Sequence, residues 1–345
     1  MTMSKNFNIL DVTVRDGSYL LNHQYKPEDV AKIGKGLYEA GIAYAEVSHG
    51  CGIGSYLLGI PSLAKDEALL QAVKEAAPDL KLSVFISPND PTLDLIDQLK
   101  DYFEIGRVGA NVHEIKLAQK FIERLKKFSK KVSLQLVRSH ARDPQFVGHM
   151  ARRAELMGVD IVYLVDTYGS FKPEELKPYI EEMKSKLDHA QVGFHGHNHL
   201  GLANTNAYAA ITLGVDWVDA SLMGVGRGAG NTCLEDLITE LQTQNQWAHI
   251  NLAQLEKLSK NIVLPIFKKP PQASIFDRLC GKYKIDYAPE SHFIKLAELL
   301  GLSIEGLMKE FRSDSEFVDV NSTNLRRIIS KYGKDYDEVT RQMSL

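Results

Sequence analysis

Two histidines one residue apart, His195 and His197, close a short apolar run in QVGFHGHNHLGL (191–202). Residues i and i+2 of a strand leave the same face, so the two imidazoles project together. Neutral imidazole is the commonest ligand of borderline divalent metals. Gly196 between them lets a substrate or a metal-bound water come close to the backbone. The same pair also suits an ordinary strand end with two surface histidines, so the metal reading depends on what else the chain supplies. Near the N-terminus it supplies Arg15 and Asp16 in LDVTVRDG (10–17). An Asp16 oxygen beside the two histidines makes three protein ligands and leaves positions open for substrate oxygens and water, as a catalytic metal site requires. The mixed nitrogen and oxygen donors suit Mn2+, Mg2+, Co2+ or Zn2+. Arg15 and Asp16 can also simply pair with each other at a strand end.

Further polar groups stand at the ends of other apolar runs. Glu46 in AEVSHG (45–50) needs a partner if it faces a barrel interior, and Arg15 is the natural one, since the pair would hold the guanidinium in place. Thr167 in VDT (165–167) offers a hydroxyl to a substrate carboxylate, or a cap to the segment that follows. Asn231, after the glycine-rich run GVGRGAG (224–230), is a further oxygen ligand or the N-cap of the next helix. Cys51 has no adjacent base and is not read as a nucleophile.

The elements that must position these groups alternate in kind. Short β-rich runs at 8–14, 44–48, 80–86, 104–108, 132–137, 161–165, 192–195 and 217–221 are each followed by an amphipathic stretch. Those stretches lie at 27–40, 63–76, 92–99, 113–128, 144–157, 173–187, 202–213 and 234–242. Several begin near a proline, and Gly41, Gly158 and Gly214 lie just past helix ends. Strands alternating with helices imply parallel βαβ units. Eight of them within about 250 residues match an α/β fold of the TIM (β/α)8 barrel type. A Rossmann-like sheet is the runner-up, but the glycine-rich run follows the eighth strand and lacks the acidic residue that would bind a ribose. After residue 245 the rhythm stops, with helical windows at 252–262, 290–301, 303–311 and 324–332 and Pro265, Pro270 and Pro271 in the linking region. The expected organisation is a barrel carrying the candidate metal site over 1–245 and a helical C-terminal extension over 246–345.

Composition narrows the class. With 41 basic and 44 acidic residues interspersed, the chain shows no basic stripe for nucleic acid. No apolar run approaches the ~20 residues that span a bilayer, and the first residues lack a secretory apolar segment. Three cysteines, Cys51, Cys233 and Cys280, lie far apart and do not form a disulfide framework. A cytoplasmic enzyme is the expectation.

The combination is more specific than its parts. LDVTVRDG, AEVSHG, FHGHNHLGLAN and GVGRGAGN together resemble the DRE-TIM metallolyase superfamily, which includes hydroxymethylglutaryl-CoA lyase, isopropylmalate and citramalate synthases and 4-hydroxy-2-oxovalerate aldolase. HQY (23–25), EVSHG and VDASLMGVGRGAGN are most similar to the 4-hydroxy-2-oxovalerate aldolases, as, more loosely, is YAPESHFIKLAELLGL (287–302) in the tail. The resemblance implies a divalent-metal-dependent aldolase that cleaves or forms a 4-hydroxy-2-oxoacid, giving pyruvate and an aldehyde through an enolate. It makes Asp16, His195 and His197 the metal ligands, with Mn2+ first among the candidates. It gives Arg15 the task of stabilising the enolate, and Glu46 that of holding Arg15. Thr167 stands where the aldolases have a serine that binds the substrate carboxylate, and Tyr287 near their tyrosine in the extension. It also implies an acylating aldehyde dehydrogenase as partner, or a homo-oligomer.

The chain departs from that family at one position. The aldolases carry a histidine shortly after RDG as the base for the 4-hydroxyl, and here Tyr19 stands in its place. An ordinary tyrosine, with a pKa of about 10, is a poor base at neutral pH. Tyr19 is activated by the metal or Arg15, or His23 serves instead, or the substrate differs. Two alternatives accompany the aldolase: a Claisen-type condensing enzyme using an acyl-CoA, for which no basic cluster is evident, and a non-catalytic barrel that binds a partner.

Overall fold

The computed structural model describes residues 7–128, 130–285, 290–312 and 322–343. Eight strands close into one barrel in chain order, each parallel to its neighbours. They are β1 (Asn8–Asp11), β2 (Tyr44–Glu46), β3 (Lys81–Ile86), β4 (Ile105–Asn111), β5 (Lys131–Val137), β6 (Ile161–Asp166), β7 (Gln191–Gly196) and β8 (Trp217–Ala220). The first and last strands join with Ile9 opposite Val218 and Asp11 opposite Ala220. β6, IVYLVD, is buried along its whole length, the continuous apolar run expected of a parallel strand covered on both faces. The TIM barrel and the helical region after it are as the sequence implies.

The helices that wrap the barrel start where the chain pre-sets them. Pro27, Pro91, Pro144 and Pro173 each occupy the first turn, where a missing N–H costs nothing and the fixed φ is already helical. Gly41, at φ +98°, turns the chain out of the helix Pro27–Glu39 into β2. The helices after the barrel divide between two apolar clusters. Leu255 and Leu258 of Leu252–Leu258, Val263 of the π-turn Ser259–Val263, and Phe267 belong to the cluster between strands and barrel helices. A second cluster runs from Phe276 to Met343 through Phe293, Leu307 and Ile328. Among the described residues no helix is long and apolar enough to cross a membrane.

Three local differences from the sequence reading matter. The first strand stops at Asp11, and Thr13–Gly17 form a buried helical turn. The cause is local: the Asp11 carboxylate accepts the Thr13 N–H at 3.0 Å and its hydroxyl at 2.7 Å, while Thr13 Oγ1 accepts the N–H of Leu222 at 2.8 Å. The chain is thereby pinned to the loop after β8 and curled over the barrel mouth. The window 252–262 is not one helix, because its second half is the π-turn Ser259–Val263, before Leu264–Phe267. Two helices, Ile275–Tyr283 and Tyr336–Gln342, were not expected from periodicity.

Candidate active site

Strands of a parallel barrel release their loops at one end, and the polar groups gather there. Arg15 and Asp16 arrive on the turn after β1, Thr167 just past β6, His195 at the end of β7 and His197 just beyond it. With Tyr19, Phe85, Gln135, Val137, Val165 and Arg227 they line a cavity of about 200 Å3. A larger cavity, about 540 Å3, opens beside it around Met223, Cys233, Glu235 and Pro271; it shares Asn231 with the site but holds neither histidine.

Asp16, His195 and His197 are buried, and one donor atom from each lies within 4.8 Å of the others. Their electrostatics suit a cation. Burial pushes the Asp16 carboxyl up, but Arg15 and the two histidines outweigh it and hold it below the usual carboxylate range. Burial keeps the His197 imidazole well below its ordinary pKa, so the ring is neutral. His195 Nδ1 lies 2.9 Å from Asp219 Oδ2. Burial raises the Asp219 pKa, yet Arg107 and His195 outweigh it and hold the group ionised. An ionised carboxylate can only accept, so His195 Nδ1 donates and Nε2 is the ring nitrogen left for a metal. His197 Nδ1 is tied likewise to the carbonyl of Gly230 at 3.3 Å. Two imidazoles and a carboxylate, each oriented by an outer partner, are the donor set of a catalytic divalent site. The residues present fit the metal.

Arg15 is held on two sides. Its Nε donates to Glu46 Oε2 at 2.7 Å and its Nη1 to Asp16 Oδ1 at 2.5 Å, and the guanidinium lies 4.8 Å from the ring centre of Phe85. Glu46 therefore sits behind Arg15 rather than at the cavity wall. Asn231 meets Asp16 through its amide, Nδ2 donating to Oδ2 at 2.7 Å and to the Val225 carbonyl at 3.2 Å. Its Oδ1 is buried without a hydrogen-bond partner. Thr167 Oγ1 accepts the N–H of Arg138 at 2.8 Å, which leaves its own proton to donate into the cavity. Arg138 adopts φ +60°, a conformation that costs a non-glycine residue energy and recurs at functional sites.

Tyr19 lines the cavity from the turn Ser18–Leu21. Burial, with Cys51 adding to it, holds its phenol above the ordinary tyrosine value, so it carries its proton. His23 does not reach the cavity wall. It lies behind Tyr19, ring centres 5.0 Å apart, stacked on His49 at 4.0 Å, with Nδ1 2.9 Å from Ser18 Oγ. Burial and His49 push its pKa down to about 4. His23, His49 and Cys51 also bring donor atoms within 4.8 Å. There, however, His49 Nδ1 accepts the N–H of Cys51 at 3.1 Å, so the one lone pair of its neutral ring is already engaged. Tyr287 lies outside the described residues.

Two residues that the sequence reading did not single out complete the site. Arg107 is 1% exposed in the middle of β4, between Glu46 Oε2 at 3.2 Å and Asp219 Oδ2. Asp219, on β8, is the carboxylate that orients His195. The signal for Arg107 was present: a cation inside the apolar run IGRVGA of a parallel strand must find buried anions.

Comparison with known proteins places the chain in a family. The family model HMGL-like matches residues 103–262. The chain is 34% identical over 302 residues to an oxaloacetate decarboxylase of Mycobacterium tuberculosis, covering 88% of this chain and 90% of that one. It is 35% identical over 268 residues to a 4-hydroxy-2-oxovalerate aldolase of Thermus thermophilus, covering 76% of each. In fold it is similar to the carboxyl transferase domain of Rhizobium etli pyruvate carboxylase, with a TM-score of 0.77 at 16% identity over 96% of this chain and 61% of that one. With relatives of this identity along most of its length and the motif residues meeting at one barrel mouth, the chain belongs to the HMGL-like family of DRE-TIM lyases.

Proposed function

We propose that this protein is a divalent-metal-dependent carbon–carbon lyase that releases pyruvate from a 4-hydroxy-2-oxoacid through the pyruvate enolate. The observation that carries the reading is the convergence of Asp16, His195 and His197 with Arg15 on one cavity of about 200 Å3. Asp16, His195 and His197 would hold a divalent metal, with Mn2+ the first candidate, which would supply Lewis-acid chemistry at the 2-oxo group. Arg15, fixed by Glu46 and Asp16, presents its guanidinium where negative charge grows as the C3–C4 bond breaks. The Thr167 hydroxyl donates to the substrate carboxylate. The aldehyde product suits transfer to an acylating aldehyde dehydrogenase.

Tyr19 favours a second reading. A retro-aldol step needs a base for the 4-hydroxyl proton, and Tyr19 is itself protonated. Loss of CO2 from a 2-oxo diacid such as oxaloacetate gives the same enolate with no hydroxyl to deprotonate. The electron pair of the broken bond stays on C3, and Tyr19 can return a proton there and be reprotonated from solvent. The relation to a decarboxylase supports this reading.

The test is pyruvate release, coupled to lactate dehydrogenase, from racemic 4-hydroxy-2-oxopentanoate and separately from oxaloacetate, with Mn2+ and then with chelator. A His195→Ala sample subtracts the background of free metal. Chelator-sensitive release from the first substrate supports the aldolase, and release from oxaloacetate alone supports the decarboxylase. Release from neither, with Mn2+ shown to be bound, overturns both. Free thiol formed from acetyl-CoA and a 2-oxoacid would move the reading to a condensing enzyme.

A further inference from the structure

The charged groups around the site form one continuous line through the barrel interior. Asp16 Oδ1 meets Arg15 Nη1 at 2.5 Å, and Arg15 Nε meets Glu46 Oε2 at 2.7 Å. The same Glu46 oxygen lies 3.2 Å from Arg107 Nη1. Arg107 Nη2 donates to Asp219 Oδ2, and that oxygen also accepts from His195 Nδ1 at 2.9 Å. The two ends of the line, Asp16 and His195, belong to the same group of donor atoms. Arg107 is the middle of it. Each of its two carboxylate partners serves both neighbours through a single oxygen, and the second oxygens, Glu46 Oε1 and Asp219 Oδ1, have no hydrogen-bond partner. Gln135 Oε1, 3.1 Å from Arg107 Nη2, and the Tyr163 ring, 4.6 Å from its central carbon, hold the guanidinium in register.

We infer that Arg107 is a positioning residue that sets the metal-binding half and the enolate-binding half of the site together, through Asp219 on one side and Glu46 on the other. It touches neither ligand atoms nor cavity. A planar fork is needed because two carboxylates on different strands, β2 and β8, must be held at once. Without it, Asp219 loses the cation that fixes the oxygen to which His195 donates, and Glu46 loses its second anchor. Outer partners of ligating histidines typically contribute 10- to 100-fold in metal affinity. Arg107 acts one bond further out, so the expected loss lies at the low end of that range.

The inference rests on the metal reading above, and its test separates the two. Mn2+ binding to the full-length protein is titrated by the electron paramagnetic resonance signal of free Mn2+, with no substrate present. No saturable binding to the unsubstituted protein would sink the metal reading itself. Given binding there, Arg107→Lys is expected to weaken it by about 10-fold, because one ammonium serves one carboxylate. Arg107→Gln is expected to weaken it further, and the Lys variant decides alone if the Gln variant yields no folded protein. Leu134→Ala is the control for mere destabilisation, since Leu134 is fully buried in β5 within the cluster between strands and helices. Its melting temperature should fall while its Mn2+ affinity stays within twofold of the unsubstituted protein. An unchanged affinity in Arg107→Lys overturns the inference, as does an equal loss in Leu134→Ala.

Discussion

Arg15→Lys keeps a positive charge and removes a shape. In the native protein the fork engages Glu46 through Nε at 2.7 Å and Asp16 through Nη1 at 2.5 Å, and Nη2 takes part in neither contact. A lysine offers one nitrogen in place of three, so its ammonium either pairs with one of the two carboxylates or turns to the substrate. The ring of Phe85, 4.8 Å away, also loses a planar cation for a more strongly hydrated one. Loss of one donor aimed at a developing oxyanion costs about 10²–10³ in kcat, or about 2.7–4 kcal/mol of transition-state stabilisation. Ground-state binding should change much less, because Thr167 and the proposed metal ligands are untouched. The assay is steady-state pyruvate release at saturating Mn2+ on whichever substrate the unsubstituted protein turns over, with melting curves to verify folding. The expected signature is a fall in kcat of at least about 10²-fold with KM within a few-fold. A kcat within tenfold of the native value would refute the role of the fork. A rise in KM alone would make Arg15 a binding group instead.

Tyr19→Phe keeps the ring and deletes the O–H; a proton-donor role predicts a loss of about 10²-fold in kcat with Mn2+ affinity unchanged, and full activity would place the proton source elsewhere. Binding to the folded state alone stabilises it, so Mn2+ at 100 times its Kd should add about 2.7 kcal/mol to unfolding. Calorimetry should show this as a higher Tm that chelator removes and that His195→Ala never gains; an unchanged Tm would refute the ligand set. His140 supplies a pH prediction. Burial, then Lys284 and Arg312, push its pKa down to about 3, while the unfolded chain protonates near 6.5. Below pH 6.5 the unfolded state takes a proton that the folded ring refuses, so this group lowers stability as pH falls towards 3. Between pH 7.5 and 5 the native protein should lose about 2 kcal/mol through His140. His140→Gln should lose that much less over the same interval in denaturant titrations, and an equal loss would contradict the assignment.

Particular residues show why some of the molecule was legible in advance. The βα rhythm was readable because strands buried on both faces are short apolar runs and the helices between them carry apolar stripes. His195, His197, Arg15, Asp16, Glu46 and Thr167 stood out as polar groups at the ends of such runs, where a barrel opens its site. The helix Ile275–Tyr283 announced itself through Ser274 and Asp277, a reciprocal cap whose spacing can be read directly. His23 and Tyr19 could not be ranked from sequence, because which of them faces the cavity depends on the turn Ser18–Leu21 and on His49 stacking behind.

Local chemistry thus determined the element types, the barrel, and a set of polar candidate residues at strand ends, since each of these follows from periodicity and residue type within a few positions. Tertiary structure alone decided how those residues are held. Arg107 and Asp219 are 112 positions apart and meet only because the barrel closes. A carboxylate becomes the acceptor that orients a histidine, and a phenol keeps its proton, through burial and neighbours brought from distant strands. Desolvation and Coulomb interaction depend on distance in space, which the order of residues along the chain does not record.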